Sequence, residues 1–418
     1  MDFFPSGSVA WRISEEGFME PVKAVINNLK LRTSYGFTGN TEIGVYESLA
    51  TLESNSWTIG NQLVSGFYPN RIPNPDLKWE KTGQFDIGFD LGLFNNRLRL
   101  TADYYYKKTT DLLYNVAIPS ASGYDSMLKN IGSVQNKGYE LSIESDNLSG
   151  AFSWTTAFNI SFNRNKVLEL GGETYKDVGT YDDHLKTSDI RRLIVGQPIG
   201  VFYGYRFDGI FQNEAECAQQ TSSPSPIGVG LRRYKDLNGD GKIDATNDRE
   251  ILGDANPKFF GGMTNTFAYR GFELNVFLQY SYGNKIFNYN AMELESPTGG
   301  QNVYQDLVNR WTPTNPSNEY QKATTNRNNI VSDRFIEDGS FLKLKTVSLS
   351  YSFPKLNWKH IGGLRLYVTG QNLLTWTKYR GYDPEVSYRG ASTLEAGEDF
   401  GGYPQARTFM FGIKLDIK

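Results

Sequence analysis

The sequence predicts an all-β protein built from long antiparallel strands, and three features indicate this fold class. Apolar and polar residues alternate one by one through many segments, which is the period of a β-strand. Pairs suited to hairpin turns, such as Asn95-Asn96 and Arg270-Gly271, separate neighbouring segments. No amphipathic helix of ordinary length interrupts this pattern.

The clearest hairpin lies between Trp79 and Tyr114. One face of its two arms carries Phe85, Ile87, Phe89, Leu91, Leu98, Leu100, Ala102 and Tyr104. The other face carries Gln84, Asp86, Gly88, Asp90, Arg97, Arg99, Thr101 and Asp103. A soluble sandwich would turn the apolar face inward, whereas a membrane barrel would turn it to lipid and line its lumen with the charges. The alternation alone is compatible with both.

The remaining elements are assigned in the same way. A short strand ends near Trp11-Arg12-Ile13, and a brief helical turn follows within 15–28. Further strands are predicted at 29–37, 134–146, 152–163, 258–269, 272–280, 340–353, 363–372 and 409–417. The intervening residues 38–78 are rich in Gly, Asn, Ser and Pro and are interpreted as a long loop.

The lengths of the connections favour a barrel. Short connections are expected at 15–28, 94–96, 147–151, 270–271 and 354–362. Long ones are expected at 38–78, 111–133, 165–257, 284–338 and 373–405. The two classes alternate along the chain, as in an antiparallel transmembrane outer-membrane β-barrel with short periplasmic turns and long extracellular loops. A sandwich gives no reason for this segregation.

The pattern yields about eleven strands, with the first and the last both running towards the periplasm. Because such barrels have an even number of strands, we expect the chain to be the C-terminal part of a larger barrel, with about eleven strands of a 22-stranded transporter missing at its amino end. Strands near Val9 and Phe411 would then be open edges. Unpaired backbone is costly in hydrocarbon, so we expect these residues alone to be unable to import anything.

Composition excludes several classes of protein. The chain has 418 residues, 39% hydrophobic and 14% aromatic, with a net charge of −3, which gives no reason to expect nucleic acid as a partner. No segment approaches the roughly 20 apolar residues of a transmembrane helix. The first residues lack the pattern of an export signal, which suggests a cytoplasmic protein or a piece of a longer one. The single cysteine, Cys217, excludes an internal disulfide framework.

Several segments resemble one family. In order they are FPSGSVAWRISEE, LKLRTSYGFTGN, NPDLKWEKTGQFDIGFDLGLFNNRL, DYYYKKTTDLL, NIGSVQNKGYEL, DLNGDGKID, FLKLKTVSLSY, NLLTWTKYRGYDPE and YPQARTFMFGIKL. Over essentially its whole length the chain resembles the carboxy-terminal barrel half of SusC/RagA-type TonB-dependent outer-membrane transporters. Two details depart from the family pattern, namely Ser6-Gly7 in the opening motif and Ile417-Lys418 in place of a terminal aromatic residue.

The resemblance implies a function as well as a fold. It implies TonB-dependent import of glycan fragments, oligosaccharides or peptides through a plugged barrel, with a SusD-like lid lipoprotein, the TonB complex and outer-membrane lipid as partners. It implies a multi-pass protein of the bacterial outer membrane with a periplasmic carboxy terminus and no catalytic activity. The plug domain, the TonB-contacting segment and the first strands of such a transporter would lie outside these residues.

One loop has the spacing of a calcium site. Asp236, Asn238, Asp240, Lys242 and Asp244 occupy alternate positions, with Gly241 at the sixth, where a calcium loop bends sharply. Lys242 would offer its backbone carbonyl. Asn247 stands where a bidentate Glu is expected, so Asp248 would have to close the shell. The alternative is an Asp- and Asn-rich turn held by its own hydrogen bonds. This loop, 236–248, lies in the predicted extracellular excursion 165–257.

Signals of catalysis are weak. His184 and His360 are predicted to be solvated loop residues, and no phosphate loop or nucleophile elbow is present in the sequence. Five aromatic residues could bind sugars but fit the interfacial girdle of a barrel better: Tyr104, Tyr105, Tyr106, Trp154 and Trp376. Ligand and partner contacts are therefore expected in the long loops. The competing hypotheses are a secreted calcium-binding β-sandwich carbohydrate-binding module and an extracellular hydrolase.

Overall fold

The computed structural model describes residues 3–40, 48–117, 124, 126–178, 187, 190–296, 302–325, 329–354, 361–386, 388–390, 392 and 394–417. The strands, in chain order, are β1 (Ser6–Arg12), β2 (Ile26–Asn40), β3 (Thr51–Ile59), β4 (Gln62–Arg71), β5 (Glu80–Leu93), β6 (Leu98–Ala117), β7 (Ser126–Leu148), β8 (Phe152–Leu170), β9 (Tyr175–Val178), β10 (Arg191–Ile194), β11 (Val201–Tyr205), β12 (Phe207–Ile210), β13 (Arg232–Tyr234), β14 (Arg249–Asp254), β15 (Phe259–Tyr269), β16 (Phe272–Tyr282), β17 (Lys285–Asn288), β18 (Ile336–Asp338), β19 (Phe341–Ser352), β20 (Ile361–Thr377), β21 (Glu398–Asp399) and β22 (Thr408–Ile417).

The helices are short. They are α1 (Glu214–Cys217), α2 (Tyr289–Leu294) and 3-10 turns at Ile13–Glu15, Gly17–Val22, Gln305–Asn309 and Asp333–Phe335. The turn Gly17–Val22 lies within the predicted helical turn at 15–28, and Ile13–Glu15 ends where that prediction begins. Over the described ranges, no helix is both long enough and apolar enough to pass through a membrane.

Eleven strands form one antiparallel sheet in which each strand pairs with the next sheet strand along the chain. Their order is β1-β2-β5-β6-β7-β8-β15-β16-β19-β20-β22. The predicted all-β class and the predicted number of strands are therefore confirmed. In the described part of the chain, β1 and β22 are the edge strands of this sheet. The expectation of further strands before the first residue stays a prediction.

The short connections lie at one end of the strands, here called the short-turn rim. Phe94, Asn95 and Asn96 have φ of 55°, 58° and 59°, and the turn after β15 uses Arg270 and Gly271 at 46° and 90°. Asn and Gly adopt these left-handed conformations at low cost, which explains why the sequence places them there. The Asn27 side-chain oxygen accepts hydrogen bonds from the Asn95 and Asn96 amides, 2.5 Å and 3.3 Å long.

The register puts the apolar residues of the central hairpin on one face of the sheet. Phe85 pairs with Tyr106, Ile87 with Tyr104 and Phe89 with Ala102. This set is called the apolar face, and the side carrying Asp86, Asp90, Arg99 and Asp103 is called the polar face. The segment around Asp383 and Glu385 folds over the polar face, where it contacts Lys343. The apolar face therefore points away from the loops and outward.

Aromatic residues mark the two borders of the apolar face. Near the short-turn rim lie Phe152, Trp154, Phe267, Tyr269, Phe272 and Tyr351. Near the opposite end, the long-loop rim, lie Tyr104, Tyr139, Phe162, Phe259, Tyr282 and Trp376. On β16 ten residue steps of about 3.4 Å separate Phe272 from Tyr282, which at a tilt of about 40° gives a height of roughly 26 Å. This height matches the apolar band of a transmembrane barrel.

Two predictions about loops need correction. The segment 38–78 is a long connection, but it is not without regular structure, because β3 and β4 form a hairpin in it. The predicted long loop 111–133 is wrong: β6 extends to Ala117 and β7 begins at Ser126. The ladder continues past an irregularity between Thr109 and Leu112, where Asp111 has a φ of 58° and interrupts the alternation. A period of two cannot be read across such a bulge.

One cluster of buried apolar residues among the described residues lies entirely in the long loops. Ile190 and Phe202 from the first loop, Phe287 and Met292 from the second, and partly buried Phe400 from the third pack together. β17 joins β18 and β21 in a small sheet, so the second and third loops also share backbone hydrogen bonds. The described residues of the loops over 171–258, 283–340 and 378–407 thus form one packed unit, here called the loop assembly.

Candidate functional site

The polar face of the sheet carries paired charges. The Arg32 guanidinium contacts Asp90 on β5 at 3.0 Å and Asp103 on β6 at 3.0 Å. Arg99 contacts Glu144 on β7 at 3.0 Å. A cavity of about 330 Å³ lies beside Arg32 and Asp103. Charges of both signs on a half-buried surface are typical of the polar interior of a membrane barrel.

The residues predicted to line the lumen share one face of the sheet, with one exception. Asp86, Asp90 and Arg99 lie on the polar face. Arg97 instead lies in the hairpin turn, where its guanidinium donates to the backbone oxygens of Asp146 and Asn147 at 3.1 Å and 3.2 Å. It therefore holds two neighbouring turns together at the short-turn rim.

Buried ion pairs fasten the loop assembly. Arg191 Nε lies 3.0 Å from Glu398 Oε1, with both side chains almost fully buried, and its other nitrogens donate to the carbonyls of Gly200 and Ala396. Burial lowers the pKa of Arg191 and raises that of Glu398, and each charge opposes the shift of the other. The two residues are 207 positions apart in sequence, so this pair joins the first loop to the third.

A second buried cluster surrounds Glu295. Its carboxylate lies 2.7 Å from Arg334, 3.2 Å from Arg380 and 3.9 Å from Arg232. Burial lowers the pKa of Arg232, whereas for Arg380 the carboxylates of Glu337 and Glu295 outweigh burial and raise its pKa. Three arginines on one buried carboxylate fix the relative positions of all three loops, since a buried charge is stable only where it is paired.

The third loop is tied to the sheet through Lys343. Its ammonium lies 2.6 Å from Asp383 and 2.5 Å from Glu385, and Lys345 lies 2.9 Å from Glu385. Burial would raise the pKa of both carboxyls, but the Lys343 ammonium outweighs it and holds them below their usual range. The loop segment after β20 is thereby held against the polar face.

The loop 236–248 has the compact form expected of either interpretation. Asp236 accepts hydrogen bonds from the Gly239 and Gly241 amides, at 2.6 Å and 2.7 Å. Asp248 is fully buried and accepts from the Leu237 and Asp244 amides, both at 2.8 Å. Backbone hydrogen bonds, chiefly from Gly241, lower the pKa of Asp236.

The remaining ligands predicted for this loop are also held by local hydrogen bonds. Asn238 Nδ2 donates to Asp240 at 3.1 Å, and Asp240 accepts from the Lys242 amide at 2.8 Å. Asp244 accepts from the Thr246 and Asn247 amides. Among the residues that the structure describes, no group of three or more carboxylate, imidazole or thiol side chains is gathered closely enough for a metal ion. Calcium binding here stays a prediction.

The other candidate residues occupy varied positions. His184 and His360 lie outside the described residues. Cys217 is buried, and burial raises the pKa of its thiol. Tyr105 lies on the polar face, with its hydroxyl 3.0 Å from Asn163. The other four aromatic candidates are on the apolar face, as a girdle requires: Tyr104, Tyr106, Trp154 and Trp376.

Comparisons with known proteins agree with this architecture. The sequence model of the family described as TonB dependent receptor-like, beta-barrel matches residues 1–212. TonB-dependent receptor P3 of Formosa agariphila is 41% identical to 99% of this chain, which covers 42% of that relative. TonB-dependent receptor SusC of Bacteroides thetaiotaomicron is 30% identical over 99% of the chain and 40% of the relative. The chain thus spans about two fifths of the length of these curated relatives.

A solved structure shows the same arrangement of strands. The structure of the RagAB peptide transporter aligns with 99% of this chain and 43% of the matched chain, with a TM-score of 0.80 and 27% sequence identity. The same importer in its closed-closed state aligns with a TM-score of 0.79. The alignment includes the loop assembly as well as the sheet, because it extends over nearly the whole chain.

Proposed function

Because the chain belongs to the TonB-dependent receptor-like β-barrel family, we propose that it forms the carboxy-terminal barrel region of an outer-membrane importer of the SusC/RagA type. One observation carries the proposal: eleven adjacent strands expose an apolar face about 26 Å high, bordered by two aromatic rows, opposite a polar face of paired charges. A surface of this height fits the hydrocarbon layer of an outer membrane. The charged face would then line the import path.

The proposed orientation in the membrane follows from the lengths of the connections at the two rims. In outer-membrane barrels the short turns face the periplasm and the long loops face outward. On this basis the loop assembly is extracellular, and β22, which runs towards the short-turn rim, ends in the periplasm. The protein would be a multi-pass membrane protein.

The cargo is proposed as a class. Relatives include SusC and the RagAB peptide transporter, so we propose import of glycan fragments, oligosaccharides or peptides, driven by the TonB complex. The test is uptake by intact cells that make the full-length protein. Labelled oligosaccharides and peptides are supplied to cells with and without TonB. Uptake of one class that disappears without TonB supports the proposal, and equal uptake in both strains contradicts it.

A SusD-like lipoprotein is the proposed lid. It would dock on the extracellular loops that follow residues 164, 283 and 372. Support comes from the buried ion pairs of Arg191 and Glu295, which make these loops one preformed surface. Preformed surfaces bind without the entropic cost of ordering. The complex is tested by co-purification of the lipoprotein with a tagged transporter.

Calcium is the proposed ligand of the loop 236–248. The supporting feature is chemical: Asp236, Asp240 and Asp244 are carboxylates, Asn238 is an amide, Lys242 offers its carbonyl, and Asp248 would have to contribute from its buried position. Hard cations prefer such oxygen donors. Calcium content of the purified protein, measured by elemental analysis, tests this assignment.

The alternative of a secreted β-sandwich module is less favoured. A sandwich buries its apolar face under a second sheet. Phe85, Ile87 and Phe89 each remain more than a third exposed, and no second sheet of the described residues covers them. Fractionation of cells separates the two hypotheses, because a sandwich module would partition with soluble proteins.

A further inference from the structure

The apolar face ends at the long-loop rim in a patch of basic residues. Lys108 on β6, Lys137 on β7, and Arg164 and Lys166 on β8 lie on the same face as Tyr104, Ile143 and Phe158. The alternation runs without interruption from Phe158 to Lys166, and all four basic side chains are exposed. We call these four residues the basic patch.

The register brings the members of the basic patch together. Lys137 pairs directly with Arg164, and Gln135 pairs with both Lys108 and Lys166. Directly opposed side chains on neighbouring strands have Cβ atoms about 5 Å apart. The four positive charges thus lie within an area about 10 Å across, given the spacing of about 4.8 Å between strands.

These charges have no partners of opposite sign among the described residues. No carboxylate of the described chain forms an ion pair with any of the four; Arg164 donates instead to the carbonyls of Asn163 and Lys258, at 2.8 Å and 2.9 Å. Lys258 adds a further exposed positive charge beside Arg164. Like charges directly opposite each other destabilise a sheet unless an anion lies between them.

The position of the patch decides which anion fits. Tyr139 and Phe162 form the adjacent pair on the same face, only two residues towards the short-turn rim. Aromatic residues of this kind lie at the level of lipid headgroups. The basic patch therefore lies immediately outside the hydrocarbon, where phosphate groups of the outward leaflet are found.

We propose that the basic patch binds the phosphate groups of an anionic glycolipid in the outward leaflet of the membrane. The proposal rests on the proposed function, because it requires the apolar face to be embedded in lipid. Phosphate suits the patch because it presents several strong acceptor oxygens to lysine and arginine. The bound lipid would stay in contact with the outer surface of β6, β7 and β8, and its phosphate would relieve the repulsion between Lys137 and Arg164.

The test uses the full-length protein reconstituted in nanodiscs with lipid A in its phosphorylated or dephosphorylated form, and native mass spectrometry counts the bound lipids. The test variant is Lys137→Gln with Arg164→Gln. The matched control is Lys30→Gln with Lys107→Gln, which removes the same charge from the polar face, since Lys107 is adjacent to Lys108 but points to the opposite side.

We expect each lost basic side chain to weaken retention of phosphorylated lipid A about fivefold, with little change in the control. Dephosphorylated lipid A should bind weakly to every variant. Equal retention by wild type and test variant, or equal retention of the two lipids, would overturn the inference. Outer-membrane fractionation and the heat-dependent gel shift of a folded barrel are measured in parallel. A folded membrane barrel without lipid preference refutes this inference alone, whereas a protein outside the membrane refutes both it and the proposed function.

Discussion

The assignment of the apolar face of the central hairpin to lipid gives the sharpest prediction. Phe89 is the middle of five outward residues on β5, from Phe85 to Leu93, and is paired with Leu31 and Ala102. Phe89→Arg would place a charge near the middle of the membrane. On the lipid face of a barrel this costs about 2 to 4 kcal/mol, which lowers the ratio of folded to unfolded barrel roughly 30-fold to several hundred-fold.

The neighbouring Asp90→Asn substitution should be much milder. It removes one of two carboxylates from Arg32, and the contact to Asp103 at 3.0 Å remains. The pair is partly exposed, with 33% and 27% of the two side chains accessible. An exposed ion pair of this kind contributes about 1 kcal/mol at most. The two adjacent substitutions should therefore differ in stability by at least about 1 kcal/mol.

The assay is urea unfolding of the full-length protein in lipid, followed by the gel shift between folded and unfolded barrel. Phe89→Leu controls for loss of the ring. Phe94→Arg controls for depth, because Phe94 lies in the turn at the short-turn rim, where an outward arginine costs only about 0 to 1 kcal/mol. Equal tolerance of Phe89→Arg and Asp90→Asn would refute the assignment of the apolar face to lipid.

Three other predictions concern the loops. Asp236→Asn with Asp240→Asn should abolish calcium binding measured by elemental analysis, whereas Asn247→Ala should leave it unchanged; full calcium content in the double variant would identify the loop as an ordinary turn. Deleting 290–330 would remove Ala291 and Met292 from the loop core, so a smaller change tests the lid interface better. Replacing the exposed residues 313–316 by Gly and Ser should weaken co-purification of the lid, and an unchanged yield would exclude this tip from the interface. Lys343→Met should lower the free energy of unfolding by about 3 kcal/mol, seen as faster protease cleavage after β20, because the buried Asp383 loses its ammonium partner and the partly buried Glu385 keeps only Lys345. Lys343 lowers the pKa of Asp383 and Glu385. Their contribution to the stability of the loop is therefore complete above the unfolded pKa values near 4 and is lost only as the pH falls through the folded values. Cleavage of the wild type should not change between about pH 5 and 8.

Local patterns in the sequence were sufficient to predict the sheet. A period of two assigns each side chain to a face without knowledge of any partner strand, which is why Phe85, Ile87 and Phe89 were assigned correctly. Turn residues such as Asn95 and Asn96 predict a turn because asparagine tolerates positive φ. The resemblance to SusC/RagA-type transporters likewise rests on contiguous segments.

Tertiary structure decided everything that depends on contacts between distant residues. The ion pair of Arg191 and Glu398 joins residues 207 positions apart, and no spacing in the sequence predicts it. The bulge at Asp111 shifts the phase of the alternation, so the extension of β6 and β7 was missed. The basic patch emerged only from the register, because Lys108, Lys137 and Arg164 come from three strands. A face can be inferred from one strand alone, but a cluster of charges exists only once strands are paired.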